Sequence, residues 1–397
     1  MSGPRLSRRG LLAGGAVAAG GLAATGGYLT GRGTAPGESE ANAAEQPGTV
    51  PFHGVHQAGV ATPPQTYGAF VAFDLRRGTT RESLGRLMRL LTDDARRLTE
   101  GRAGLADAQP ELAGIPARLT VTFGFGPGLF TKAGLDHQRP LTDLPEFKGD
   151  RLEERWSGGD LLVQLCGEDA VTLAHALRLV VKDARDFATV RWVQRGFRRS
   201  PQAQPPGQTQ RNLMGQLDGT VQPVDLERAV WISGGGPSWL KGGTFMVLRR
   251  TRMDLEKWDA ADEAAKEFAI GRKLADGAPL TGDGENDDPD FTAKDFAGFP
   301  VIDDHAHIRL ARVEDPALRM LRRAYNYEED VTPDGVVDSG LLFVSYQADL
   351  ARQFTAVQER LAGSDLLNEW ITTTGSAVFA LPPGCTETGW IGEPLLS

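Results

Sequence analysis

Between residues 67 and 197 the apolar positions change period in a regular way. Residues 67–75 carry aromatic and β-branched side chains in the manner of a strand. Thr79-Thr80-Arg81-Glu82 then reads as a capping box, and Leu84, Leu87, Met88, Leu91, Ala95 and Leu98 recur at helical spacing. Residues 118–125 and 160–166 return to strand character, 170–187 to helix and 189–197 to strand. The order β-α-β-β-α-β is that of the split-βαβ or ferredoxin-like unit.

The second half follows the same order with insertions. Residues 229–233 and 244–251 are strand-like, 254–271 helical, 341–347 an apolar strand, 350–361 helical and 376–381 a last strand. The Asp/Gly/Pro-rich stretch 275–304 is a long loop. Two such units without a detectable sequence repeat predict an α+β fold: two ferredoxin-like halves with antiparallel sheets packed together. The expected division is an arm at 44–60, an N-terminal half at 61–212 and a C-terminal half at 213–397.

The first residues follow another logic. Arg5-Leu6-Ser7-Arg8-Arg9-Gly10-Leu11-Leu12 opens a stretch without charge from Gly10 to Gly31, and Ala41-Asn42-Ala43 is a small-x-small ending. Paired arginines, a weak apolar core and that ending read as a twin-arginine secretory signal over 1–43. The uncharged stretch is long enough to span a bilayer, but its many glycines make it poorly apolar and a poor helix, which favours a signal over a retained anchor. The expectation is export by the twin-arginine machinery to the periplasm, the cell surface or beyond.

Composition narrows the function classes. With 40% hydrophobic and 24% charged residues, the 397-residue chain can build a globular core. A net charge of −9 speaks against a nucleic-acid binder. Gly (49) and Pro (24) are in excess, which argues for loops over a helical bundle. Cys166 and Cys385 read as small buried hydrophobes, with a single disulfide left open, and no CxxC or zinc spacing occurs.

Four segments carry chemistry-bearing residues. Asp218 in Gly215-Gln216-Leu217-Asp218-Gly219-Thr220 is in isolation an ordinary turn residue. Asp304-His305-Ala306-His307-Ile308-Arg309-Leu310 contains a His-x-His that a strand would turn to one face, a potential metal pair. Leu321-Arg322-Arg323-Ala324-Tyr325 reads by default as solvated arginines. His53 and His56 form an HxxH that fits metal binding less well than docking of the N-terminal arm.

Taken together, these segments resemble the dye-decolourising peroxidase family over about 50–382. Gly215–Gly219 matches its GxxDG motif, His307-Ile308-Arg309-Leu310 its proximal haem segment and Leu321–Tyr327 its distal-arginine segment. Supporting matches are 51–59, 122–127, 340–347 and 379–382, and the exported branch of the family carries a twin-arginine signal. The resemblance implies a haem b peroxidase with the haem in the C-terminal half, acting on hydrogen peroxide and a dye-like or phenolic organic electron donor. His307 would be the axial iron ligand, with Asp365 as candidate partner for its other nitrogen. His305 would have a structural role. Asp218 would move the peroxide proton, and Arg322, rather than Arg323, would stabilise charge on the departing oxygen. Gly219, Thr220, Val221 and Arg312 would contact the haem.

One departure stands out: where relatives continue Ala-Asn-Pro-Arg, this chain has Ala311-Arg312-Val313-Glu314, placing a glutamate where a propionate is expected. Trp231, Trp239, Tyr325, Tyr327, Trp370 and Trp390 are candidates for surface electron relays, although a packed aromatic is the commoner role. The alternatives are a deferrochelatase that releases iron from haem, a non-enzymatic haem binder, and a non-haem metal site built from His53, His56, His305 and His307. A homo-oligomer is left open.

Overall fold

A computed structural model describes residues 48–204, 207–331 and 335–397. The predicted export signal lies outside the described residues. The N-terminal half runs β1 (Tyr67–Leu75), α1 (Arg81–Thr99), β2 (Thr120–Phe125), α2 (Pro127–Lys132), β3 (Leu161–Gly167), α3 (Ala170–Ala184) and β4 (Ala188–Phe197). Its strands are all antiparallel, in the order β2-β3-β1-β4. The apolar stripe of α1 is buried as its spacing demands, from Leu84 to Leu98. Its capping box is Thr80 with Ser83, one residue later than the Thr79–Glu82 reading. The Thr79 hydroxyl is engaged elsewhere, donating to the Arg76 carbonyl at 2.7 Å and closing the preceding turn.

The C-terminal half runs α4 (Leu226–Ala229), β5 (Thr244–Met253), α5 (Leu255–Ala260), α6 (Glu263–Ile270), α7 (His307–Leu310), β6 (Leu321–Arg322), β7 (Tyr325–Val331), β8 (Val337–Gln347), α8 (Ala356–Ser364) and β9 (Ile371–Leu381). Three expectations are corrected here. Residues 229–233 are not a strand: Asp225 caps α4 there, and the Ile232 amide bonds Gly243 in a turn. The helix expected over 254–271 is two helices, because Ala261 is extended and Asp262 caps a new start. His305 and His307 do not share a strand, as Asp303 accepts the His305 amide in a turn and His307 begins α7.

The C-terminal strands take the order β9-β5-β8-β7, matching the N-terminal half. The two sheets face one another and join at both edges. Phe125 pairs with Ala380 between β2 and β9, and Phe197 with Asn326 between β4 and β7. A closed antiparallel ring results, filled by Phe70, Leu162 and Trp192 from one half and Met246, Tyr346 and Phe379 from the other, all buried. β6 lies along β8 beyond the end of β7, pairing Leu321 with Tyr346 and Arg322 with Ser345. Side chains on a strand alternate between faces. Met246 and Leu248 of β5 point into the ring, and Arg249, Thr251 and Met253 line a cavity on its outer side.

Candidate active site

That cavity has a volume of about 910 Å³. His307 stands on one wall. Gly271 ends α6 with φ +87°, and a Cβ there would lie 2.8 Å from Ile308, so α6 closes directly onto α7. The His307 Nδ1 meets Asp365 Oδ2 at 2.6 Å. Asp365 is itself fixed: its carboxylate accepts the Leu367 amide at 2.9 Å, and the neighbouring Leu366 amide donates to the His305 carbonyl at 3.1 Å. His305 thus ties the two segments together through its backbone while its side chain is exposed. Burial pushes the imidazole pKa down, but the Asp365 carboxylate outweighs it and holds His307 above the ordinary histidine value. With Nδ1 engaged, Nε2 is the ring nitrogen left to serve as a ligand.

Asp218 and Arg322 stand together on the cavity wall, Arg322 Nη1 donating to Asp218 Oδ1 at 3.4 Å. The turn before Asp218 is rigid, because the Asn212 side chain accepts the amides of Met214 (3.0 Å) and Gln216 (3.2 Å). The Asp218 amide then bonds Gln210 at 2.8 Å. Both charges act on His307, Arg322 lowering its pKa and Asp218 raising it, so the three groups share one electrostatic field. Arg323, on the opposite strand face, is fully buried and bonds Thr62 and Gln65. Of the two neighbouring arginines, Arg322 lines the cavity and Arg323 points into the interior.

The donor set fits haem. An imidazole nitrogen is available on one wall, the remaining walls are largely apolar (Leu217, Met253, Ile270, Leu341, Phe343), and Arg312 and Arg319 reach the cavity with buried Nε atoms that have no hydrogen-bond partner. Such cations suit the acidic substituents of a porphyrin.

Two family models match the chain: the Dyp-type peroxidase N-terminal model at residues 57–198 and the C-terminal model at 209–386. The chain belongs to the Dyp-type peroxidase family. It is 39% identical over 359 residues to a dye-decolorizing peroxidase of Thermobifida fusca, covering 86% of this chain and 83% of that one. It is 36% identical over 388 residues to a deferrochelatase of Escherichia coli K12, covering 91% and 90%. Among solved structures, a DyP-type peroxidase from Cellulomonas bogoriensis superposes with a TM-score of 0.86 at 53% identity, covering 88% of this chain and 98% of that one. Ferric DtpA from Streptomyces lividans gives 0.84 at 41%, with the same coverage. As a member of this family the chain is a haem peroxidase, and haem is its cofactor.

The remaining expected residues of this Dyp-type peroxidase divide in two. Thr220, Val221 and Arg312 line the cavity and Gly219 does not. Glu314 is no obstacle to an acidic substituent, since its side chain is 87% exposed and lies 3.9 Å from Arg312 Nε. His53 lies by Cys385, and His56 bonds Gly242 and stacks on Trp231, so neither joins His305 and His307. Among the described residues no group of three or more His, Cys, Asp or Glu is arranged to hold a metal ion. Cys166 and Cys385 are both free and buried.

The surface-relay candidates are corrected: Tyr325 and Tyr327 are fully buried, Trp231, Trp239 and Trp390 nearly so, and only Trp370 is half-buried. Sequence reasoning missed Gln222, which holds the Arg322 backbone, and Glu285, which accepts from Thr220 at 2.8 Å. It also missed Arg319. Nothing in the local pattern marks any of the three.

Proposed function

We propose that this haem peroxidase uses hydrogen peroxide to oxidise dye-like or phenolic organic donors. The observation that carries the reading is the placement of two distinct pairs on one cavity, His307–Asp365 and Asp218–Arg322. Bound haem supplies the redox-active iron at which peroxide is activated. His307 would hold that iron through Nε2, while the Asp365 carboxylate accepts a hydrogen bond from Nδ1–H, fixes the tautomer and makes the ring a stronger donor. Asp218 takes the proton from the near oxygen of peroxide and returns it to the far one, which leaves as water. Arg322, fixed in the charged state, stabilises the negative charge that develops on that leaving oxygen. Thr220, Val221 and Arg312, which line the cavity, would contact the haem, and Arg312 would offer its guanidinium to an acidic substituent.

The test is a haem spectrum followed by rapid mixing with peroxide. Wild type is expected to carry a Soret band that changes within the mixing experiment. His307→Ala loses the band, whereas Asp218→Ala and Arg322→Leu keep it and lose the fast change. A fast change that persists in Asp218→Ala rejects the proton-transfer role. The second reading, release of iron from haem, draws on the deferrochelatase relatives. It predicts free protoporphyrin fluorescence and chelatable iron after incubation with haem. A haem carrier is disfavoured, because carriage needs no proton-moving pair. Export by the twin-arginine route, from residues 1–43, belongs to the same proposal.

A further inference from the structure

Two surface features of opposite charge lie apart from the haem cavity. The first is a hairpin in the loop between α6 and α7. Lys294 bridges to Pro300, the Val301 amide donates to the Ala293 carbonyl at 3.0 Å, and the Asp295 carboxylate accepts the amides of Ala297 (2.8 Å) and Phe299 (2.9 Å). Gly298, at φ +87°, completes the turn. At the base, Arg309 of α7 donates to the carbonyls of Phe291 (2.9 Å) and Ile302 (3.2 Å), clamping both stems. This fixed tip carries Phe296, wholly exposed, and Phe299, 68% exposed. The chain around it is acidic: residues 283–304 hold eight carboxylates and one lysine. The second feature is a groove of about 490 Å³ on the outer side of the N-terminal sheet, between α3 and β4. Its floor includes Val181, Val190 and Val193, and its rim is Arg178, Lys182, Arg185 and Arg195. All four cations are exposed, and among the described residues none makes an ion pair. Lys182 donates to the Ala106 carbonyl at 2.5 Å and Arg178 to the Gln109 side chain, both neutral acceptors. Nearby acids are engaged elsewhere: Asp107 with His175 at 2.8 Å, Asp74 with Arg191 at 3.1 Å and Asp183 with Asp94.

A rigid aromatic tip and an open apolar groove each hold apolar surface in water, and the two match in charge. The hairpin does not fill the groove of its own chain, since Phe296 is wholly exposed and both features belong to one compact unit. We propose that the Phe296–Phe299 hairpin of one molecule docks in the Arg178–Arg195 groove of a second copy of this chain. The phenylalanine rings cover the valines of the floor, and the flanking carboxylates meet the cations of the rim. Tip and groove lie on different halves, so the contact is head-to-tail: each copy offers one hairpin and one groove, and copies add in a ring or a chain. A contact made by a single hairpin is at the small end of protein interfaces, so the association is weak and reversible. The inference does not depend on the reaction at the haem.

The test is sedimentation velocity of the holoprotein across a concentration series. The sedimentation coefficient is expected to rise with concentration at low salt, and the association to weaken as salt screens the charges. F296S/F299S removes the aromatic tip and K182E/R185E reverses the rim. Each is expected to weaken self-association by about tenfold or more, with the Soret band and the rate of reaction with peroxide unchanged. Mixing the two variants is decisive. The intact hairpin of K182E/R185E fits the intact groove of F296S/F299S, so the mixture forms a one-to-one heterodimer that neither variant gives alone. A monomer at every concentration, undiminished self-association in either double variant, or a mixture that stays monomeric overturns the proposal.

Discussion

Gln222 grips Arg322 by both backbone groups: its Nε2 donates to the Arg322 carbonyl at 3.0 Å and its Oε1 accepts from the Arg322 amide at 2.9 Å. β6 is only two residues long, so this side chain does much of what a longer strand would do to fix the distal arginine. Gln222→Ala is expected to retain the Soret band and to slow the reaction with peroxide about tenfold, which corresponds to about 1.4 kcal/mol of lost positioning. Gln222→Glu should fail too, because a carboxylate cannot donate to the Arg322 carbonyl. Stopped-flow rates decide it; an unchanged rate in both variants removes Gln222 from any positioning role.

The partner of His307 can be probed without removing the ligand. Asp365→Asn keeps the shape and discards the charge that holds the His307 pKa up. Haem affinity should fall by about 10–100-fold, and the reduction potential should rise as the ring becomes a weaker donor. Spectroelectrochemistry reads the potential directly. A potential equal to that of wild type would show that Asp365 only orients the ring.

Far from the site, Asp183 and Asp94 hold two neighbouring carboxyl groups in the N-terminal half, and Asp183 Oδ2 is buried without a donor. Burial and the Asp94 carboxyl push the Asp183 pKa up to about 7 from 3.8. The folded state therefore keeps a proton that the unfolded chain would release. This stabilisation is complete below the unfolded pKa and is lost as pH rises through about 7. Asp183→Asn should be more stable than wild type at pH 8 by about 1–2 kcal/mol, with the difference vanishing near pH 4. Urea unfolding at the two pH values checks the sign.

The Arg249–Asp150 pair predicts an asymmetry. Asp150→Ala leaves a buried guanidinium with only Ser376 as its partner and should cost about 3–5 kcal/mol. Replacing both residues by apolar ones, as in R249M/D150L, should recover most of that loss, since no buried charge is then stranded. Equal losses in the single and double variants would argue that packing against Phe147, rather than charge, dominates.

How far the sequence could be read depended on how local the cause was. The α1 stripe and the run of β1 are settled by spacing along a single element, and both were legible. The His-x-His was misread as a strand because alternation is blind to the Asp303 turn that starts α7. Gln222 and Asp150 were invisible because the groups they hold, Arg322 and Arg249, are about a hundred residues away, and a lone Gln or Asp in a loop carries no mark of such a contact. The relay aromatics failed for a related reason: composition finds an oxidisable ring, but only closure of the sheet shows that Tyr325 and Tyr327 face its interior.

That closure has a cost for each half on its own. The seams of the ring, Phe125 with Ala380 and Phe197 with Asn326, are single residue pairs. Backbone bonds from Arg151 to Thr373, Glu153 to Thr374 and Gly158 to Ser376 add to them, and the shared interior holds the halves together as well. A separated N-terminal half would present Phe70, Leu162 and Trp192 to water along two open sheet edges, and its partner would present Met246, Tyr346 and Phe379. The two repeats resemble independent domains in chain order, yet neither has a complete core, and they must fold as a single cooperative unit.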